Sequence, residues 1–246
     1  MPRGILKNIA IILAGTKHPG NIGSVARAMN NFGFLDLRLA APQCAIDVEA
    51  YRLAKSGGKV LDCARKYRSL RSAARGLHVV VGTSAKTGGH RSKAYSPRML
   101  SAKLIAQAQH HKLGIVFGPE DTGLVDDDLL MCQLLVRIPT RPFARSINLA
   151  HAVTIVCYEL YVASMSMTRN PEKGIKPAPF EQAEAMYSQL EDALLKIGFL
   201  QPQNARHMMF ALRRLFGRAG LEAADVGILR GIARQIAWFG SRSRHA

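Results

Sequence analysis

Five short apolar runs recur along the first half of the chain: Ile9 to Ala14, Leu37 to Ala41, Leu77 to Gly82, Leu113 to Phe117 and Leu134 to Ile138. Each is bounded by turn-forming residues and separated from the next by a longer amphipathic stretch. Runs this short and this apolar read as buried strands. Strands that alternate with helices build a parallel sheet covered by helices, so the pattern predicts an α/β domain with five or six parallel strands. The expected helices cover Ser24 to Asn31, Val48 to Lys55, Pro97 to Gln109 and Ile147 to Met167. Ser96 is placed to cap the third of these, and Pro97 suits its first turn. Asp126, Asp127 and Asp128 suit the positive end of a short helix.

Three prolines and a glycine between Arg169 and Phe180 interrupt any periodicity and predict a linker. The expected division is a domain over 1–168, a linker over 169–180 and a small helical C-terminal region over 181–246. That region is expected to bind RNA or support a dimer. Its helices are predicted over Glu181 to Ile197, Asn204 to Phe216 and Leu221 to Phe239. On the second, Arg206 and Arg213 share a face, as do Arg214 and Arg218. A solvated face and an RNA-binding face explain this spacing equally.

Lysine and arginine number 34 against 17 acidic residues, a net charge of +17 that favours a polyanionic partner. Between Asp62 and Glu120 there is no acidic residue, while basic residues from Arg65 through Arg91 and Lys93 to Lys112 crowd the interval. Such a stretch binds phosphates without choosing between RNA and DNA. A membrane surface is also anionic, but no apolar run approaches the roughly 20 residues that span a bilayer, and Ile9 to Ala14 is too short for a signal-peptide core. No membrane partner is therefore expected. Cys44, Cys63, Cys132 and Cys157 lack the paired spacings of zinc or redox sites, which predicts free thiols in a reducing cytoplasm. Only His110 and His111 adjoin among the histidines, so no metal site is expected.

The glycine-rich stretch Gly15 to Ser24 invites a nucleotide-binding reading, which fails in detail. A P-loop needs lysine and then serine or threonine after Gly20, where Asn21 and Ile22 stand, and no G-x-G-x-x-G occurs. What remains is a polar turn and a helix whose Ser24, Arg27 and Asn30 fall on one stripe near Asn21. That stripe fits phosphate or ribose recognition, although spacing alone favours a solvent-facing helix side. Two later segments, Gly114 to Leu124 and Ile138 to Ala152, place polar and glycine residues directly after buried strands. In an open α/β sheet ligands collect at the carboxyl ends of strands, where both would sit.

Three segments carry a family resemblance: N-I-G-S-V-A-R-A-M-N-N-F-G (Asn21 to Gly33), F-G-P-E-D-T-G-L (Phe117 to Leu124), and I-P-T followed by S-I-N-L-A-H-A-V (Ile138 to Val153). In order and spacing they resemble the three motifs of the SPOUT superfamily of RNA methyltransferases, in its TrmH-like branch. Thr83 to Ala85 and the C-terminal segments L-R-R-L-F-G-R-A and I-L-R-G-I are similar to those of bacterial enzymes that methylate the ribose of cytidine or uridine at anticodon-loop position 32 of tRNA. The resemblance implies a parallel sheet with a deep C-terminal trefoil knot, a homodimer, S-adenosylmethionine as cofactor and tRNA as partner. It implies that Thr83, Ser84, Ala85, Gly118, Ile138, Arg145, Ser146 and Ile147 line the cofactor pocket, largely through backbone groups. It further implies Arg27 and Ser146 as catalytic, with Asn21, Ser24, Asn30, Glu120 and Asn148 in RNA-binding or supporting roles. Arg91, Lys93, Arg213 and Arg214 join them as RNA-binding candidates from charge alone. Pro119 and Arg145 depart from the family pattern.

A guanidinium stays protonated and is a poor base. Arg27 is therefore expected to hold a phosphate and stabilise charge on the ribose oxygen, while Ser146 orients that oxygen. The alternatives are an rRNA ribose methyltransferase of the same superfamily, which usually carries an N-terminal RNA-binding extension, and a knotted RNA-binding protein without catalysis.

Overall fold

Every predicted apolar run forms a strand, and a sixth strand joins them. The computed structural model describes residues 4–86, 94–141, 146–166 and 177–242. Two compact units make up the chain, Met1–Gly174 and Ile175–Ala246. The proposed linker falls mostly outside the described residues.

The strands are β1 (Ile9–Ala14), β2 (Asp36–Ala40), β3 (Arg65–Tyr67), β4 (Val79–Thr83), β5 (Leu113–Phe117) and β6 (Leu134–Val136). They form one parallel sheet in the order β3-β2-β1-β5-β4-β6. Because strand residues alternate between faces, Ile9, Ile11 and Leu13 of β1 join Leu113, Ile115 and Phe117 of β5 in one continuous core. That core is closed by α1 (Pro19–Phe32), α5 (Pro97–Ala108) and α7 (Leu149–Ser166). Ala10, Ile12, Val80, Val116 and Leu135, at the alternate positions, are equally buried. Burial on both faces is why these strands read as continuous apolar runs.

The other elements of this unit are α2 (Val48–Ala54), α3 (Gly58–Asp62), α4 (Leu70–Ala73) and α6 (Asp126–Leu130). Helix α1 starts at Pro19, one turn before the expected Ser24, so Gly20 and Gly23 lie inside a helix and not in a turn. A Cβ on Gly23 would stand 2.1 Å from the Ala50 carbonyl oxygen, so this glycine permits the close approach of α1 and α2. Ser96 caps α5 by accepting from the Met99 N–H, with Pro97 at its first position.

Strand β3 carries Arg65, Lys66 and Tyr67 at the sheet edge. Its Arg65 donates to Asp36 at 2.7 Å, and Arg38 pairs with the same carboxylate at 2.9 Å. Arg38 is buried and also donates to the carbonyls of Ala73 and Arg75. Burial raises the pKa of Asp36, but the hydrogen bonds and charges of Arg38 and Arg65 outweigh it and hold the carboxyl below its ordinary range.

Strand β6 is enclosed from both sides. The Ser84 N–H donates to the Val136 carbonyl, while Tyr95 donates to the Leu135 carbonyl and accepts from the Arg137 N–H. The two ends of the segment between β4 and α5 therefore straddle β6, the arrangement that a threaded chain requires. Helix α7 is long and apolar enough to cross a membrane by length and composition alone. One side of it belongs to the core, while Tyr158, Val162 and Met165 are exposed.

The second unit packs α8 (Phe180–Lys196), α9 (Ala205–Ala219) and α10 (Ala223–Arg242) around Met186, Tyr187, Leu190, Met209 and Ala233.

Candidate active site

The carboxyl ends of β4, β5 and β6 surround a cavity of about 500 Å³, within the range of roughly 300–1,000 Å³ typical of small-molecule sites. Thr83, Ser84 and Ala85 reach it from the end of β4, Gly118 from β5, Ile138 from the chain leaving β6, and Ser146 and Ile147 from the approach to α7. Arg145 lies outside the described residues. Spacing alone did not single out Leu124, Val136 and Leu149, which supply the apolar lining. The Thr83 hydroxyl donates to the Val116 carbonyl, tying β4 to β5 at the cavity floor. At Gly118 a Cβ would stand 2.2 Å from the Leu124 amide nitrogen, so the loop 118–124 folds back on itself only because that side chain is missing.

Beside the cavity a polar network joins three segments that are distant in sequence. Asn148 accepts from the N–H of Ala150 at 2.9 Å and so caps α7, and its Nδ2 donates to Asn21 Oδ1 at 3.1 Å. Asn21 Nδ2 in turn donates to Glu120 Oε1 at 2.8 Å. Glu120 also accepts from the Thr16 hydroxyl at 3.1 Å and from the Lys17 N–H at 3.2 Å. Burial pushes the Glu120 carboxyl up, but hydrogen bonds from Asn21, from its own and the Lys17 backbone N–H and from Thr16 hold it below its ordinary range. Thr16 is fully buried and Glu120 lines the cavity, so a hidden hydroxyl fixes a carboxylate that faces the site. The Lys17 ammonium is engaged elsewhere, with Asp121 at 2.6 Å. Thr16 and Lys17 were missed by the sequence reading; their only signal is their position directly after β1.

The profile of the SpoU rRNA methylase family matches residues 8–158, which hold the whole sheet and the cavity. The chain belongs to the SpoU methylase family. Residues 181–245 match a second profile, that of the C-terminal domain of the tRNA methyltransferase TrmJ. The chain is 39% identical over 235 residues to the tRNA (cytidine/uridine-2'-O-)-methyltransferase TrmJ of Pectobacterium atrosepticum, covering 94% of this chain and 98% of that one. It is 35% identical to the tRNA (cytidine/uridine/adenosine-2'-O-)-methyltransferase TrmJ of Pseudomonas aeruginosa, covering 93% of each. The crystal structure of TrmJ from Zymomonas mobilis superposes with a TM-score of 0.78 at 32% identity, over 92% of this chain and 98% of that one.

In this SpoU chain the remaining candidates are dispersed. Arg27 is exposed on α1 and does not line the cavity, nor does Ser24. Asn30 donates to the Ser56 hydroxyl at 3.2 Å. Arg91 and Lys93 lie outside the described residues. Arg65 is tied to Asp36 and Lys112 directly precedes β5; neither lines the cavity, whereas Lys86 does. In the second unit Arg213 forms an ion pair with buried Glu184 and lies 4.3 Å from the centre of the Tyr187 ring. Burial, the largest influence there, pushes the Tyr187 phenol up to about 12. The Arg214 guanidinium lies 5.9 Å from the Phe210 ring. Among the described residues no group of three or more His, Cys, Asp or Glu is arranged to hold a metal ion. All four cysteines are free, and burial pushes the thiols of Cys132 and Cys157 up.

Proposed function

We propose that this chain transfers a methyl group from S-adenosylmethionine to a ribose 2'-hydroxyl of tRNA, at cytidine or uridine of anticodon-loop position 32, acting as a cytoplasmic homodimer. One observation carries the reading: three segments far apart in sequence converge on one cavity at the carboxyl ends of parallel strands. The names of the relatives set the substrate class.

The cavity fits the cofactor in chemistry as well as volume. Leu124, Val136, Ile138 and Leu149 would offer apolar walls to a flat base, and the backbone amides of the close turn at Gly118 would be available to its polar edge. The bound cofactor supplies an electrophilic methyl group on a sulfonium. The chain has to hold the ribose oxygen in line behind that methyl, which lowers the entropic part of the barrier. Ser146 orients the hydroxyl. Arg27 holds a neighbouring phosphate and stabilises negative charge developing on the oxygen, while the proton leaves through phosphate or water.

Arg27 stands outside the cavity of its own chain, and a homodimer accounts for this by having α1 complete the site of the neighbouring subunit. Exposed Tyr158, Val162 and Met165 on α7, with Tyr158 packed edge-on to Phe32 of α1, provide an apolar surface for that pairing. Such a patch on one side of a core helix marks an association surface. Arg91, Lys93, Arg213 and Arg214 are the candidates for RNA backbone contacts, with Arg213 also committed to Glu184.

Mapping 2'-O-methylated nucleotides in RNA from cells with and without this protein tests the reading. Loss of ribose methylation at position 32 of tRNA is expected. Unchanged tRNA together with a lost rRNA methyl group overturns it.

A further inference from the structure

Among the described residues three charged side chains line the cavity: Lys86, Glu120 and Asp121. They are not equivalent. Asp121 is matched by the Lys17 ammonium at 2.6 Å and carries no surplus charge. Lys86 is exposed at the rim. Glu120 accepts from neutral donors, the Thr16 hydroxyl, the Asn21 amide and the Lys17 backbone N–H, and among the described residues no cation forms an ion pair with it. Neutral hydrogen bonds stabilise the ionised form of a carboxyl without cancelling its charge. The result is a fixed negative charge on the wall of a small cavity.

We infer that Glu120, held in place by the buried Thr16 hydroxyl, makes this cavity select a cationic sulfonium ligand over its neutral thioether product. The inference rests on the proposed cofactor. S-adenosylmethionine and S-adenosylhomocysteine share the adenosine, the carboxylate and the ammonium, so those contacts cancel in a comparison and the sulfonium charge remains. A cavity of about 500 Å³ has the volume of a sphere about 10 Å across. Any charge inside it lies about a Debye length or less from the carboxylate and is only partly screened. One unit charge at such a distance, in a medium between protein and water, is worth about tenfold in affinity, or about 1.4 kcal/mol. After transfer the positive charge is gone, and the spent ligand loses this attraction. Thr16 acts as a positioning residue: its side chain is out of solvent and its hydroxyl is spent on Glu120.

Titration calorimetry with three ligands tests this. S-adenosylmethionine carries the sulfonium, sinefungin carries an ammonium in its place, and S-adenosylhomocysteine carries neither. Glu120→Gln is expected to weaken the first two by about tenfold and to leave the third within twofold. Equal weakening of all three, or no change in any, overturns the inference. If the wild-type protein binds none of the three, the cofactor reading itself falls and this inference with it. Thr16→Val serves where Glu120→Gln does not fold, as judged by its melting transition. It is expected to lower the ratio of sulfonium to thioether affinity, with Thr16→Ser restoring it. An unchanged ratio in Thr16→Val removes Thr16 from the account.

Discussion

Replacing Gly118 by alanine tests how the cavity is built. The added Cβ would lie 2.2 Å from the Leu124 amide nitrogen and 2.3 Å from the Gly123 carbonyl carbon. Both are backbone atoms, so no side chain can swing away, and ordinary contact requires the loop 118–124 to retreat by about 1 Å. Overpacking of this kind costs about 1–3 kcal/mol of stability. The larger effect falls on function, since a misplacement of about 1 Å near reacting groups costs on the order of a hundredfold in rate. Gly118→Ala is therefore expected to melt several degrees lower, to bind S-adenosylmethionine at least about tenfold more weakly and to transfer methyl groups about a hundredfold more slowly. Gly227→Ala is the control. Gly227 sits within helix α10 with nothing within 4 Å of a Cβ, and alanine there is expected to raise stability by about 0.5–1 kcal/mol. Thermal unfolding and calorimetric titration read both variants. Wild-type melting and wild-type cofactor affinity in Gly118→Ala would refute the reasoning.

Three further outcomes are expected. Arg27→Ala is expected to abolish methyl transfer while leaving the melting temperature and cofactor affinity nearly unchanged, and a rate above about a tenth of wild type in a tRNA assay removes it from the mechanism. Arg213→Ala removes the ion pair to buried Glu184 and is expected to cost about 3–5 kcal/mol in denaturant unfolding, most of it recovered when Glu184→Gln is added; a cost below about 1 kcal/mol contradicts the buried pair. The pKa of Asp36 is lowered on folding, so its contribution to stability is present above the unfolded carboxyl value and is lost as pH falls through the folded one. Asp36→Asn is therefore expected to flatten the acid limb of the stability curve below about pH 4, and an unaltered limb counts against the Arg38–Asp36–Arg65 cluster.

The strands with two buried faces were legible because burial on both sides makes the run predominantly apolar, even where β2 carries the buried Arg38. Strand β3 was not, because an edge strand of Arg65, Lys66 and Tyr67 looks like a charged turn until Asp36 is placed beside it. The early start of α1 was hidden for a related reason. Gly20 and Gly23 signal a turn in isolation, and only the Ala50 carbonyl packed against Gly23 explains them as a helix contact. Much of the cavity lining falls in the second and third motifs and in Thr83 to Ala85, whereas Lys86 and Val136 lie in none of these segments. The hydrogen bonds from Asn148 to Asn21 and from Asn21 to Glu120 were not, since they join positions 127 and 99 residues apart and no local period encodes such pairs. Charge counting pointed to a polyanion, yet of the basic stretch it singled out only Lys86, among the described residues, lines the cavity, and Arg65 is engaged by Asp36.

The enclosure of β6 between Ser84 and Tyr95 also governs time. Strand β6 and its two flanks are fixed by one another, so the wall of the cavity that β6 supplies is complete only when contacts between distant parts of the chain have formed. Steps that depend on contacts so distant along the chain are slow. The same enclosure acts in reverse: β6 cannot withdraw without disturbing both of its flanks at once, which raises the barrier to opening. The binding cavity therefore persists through the slowness of its loss as well as through the depth of its energy minimum.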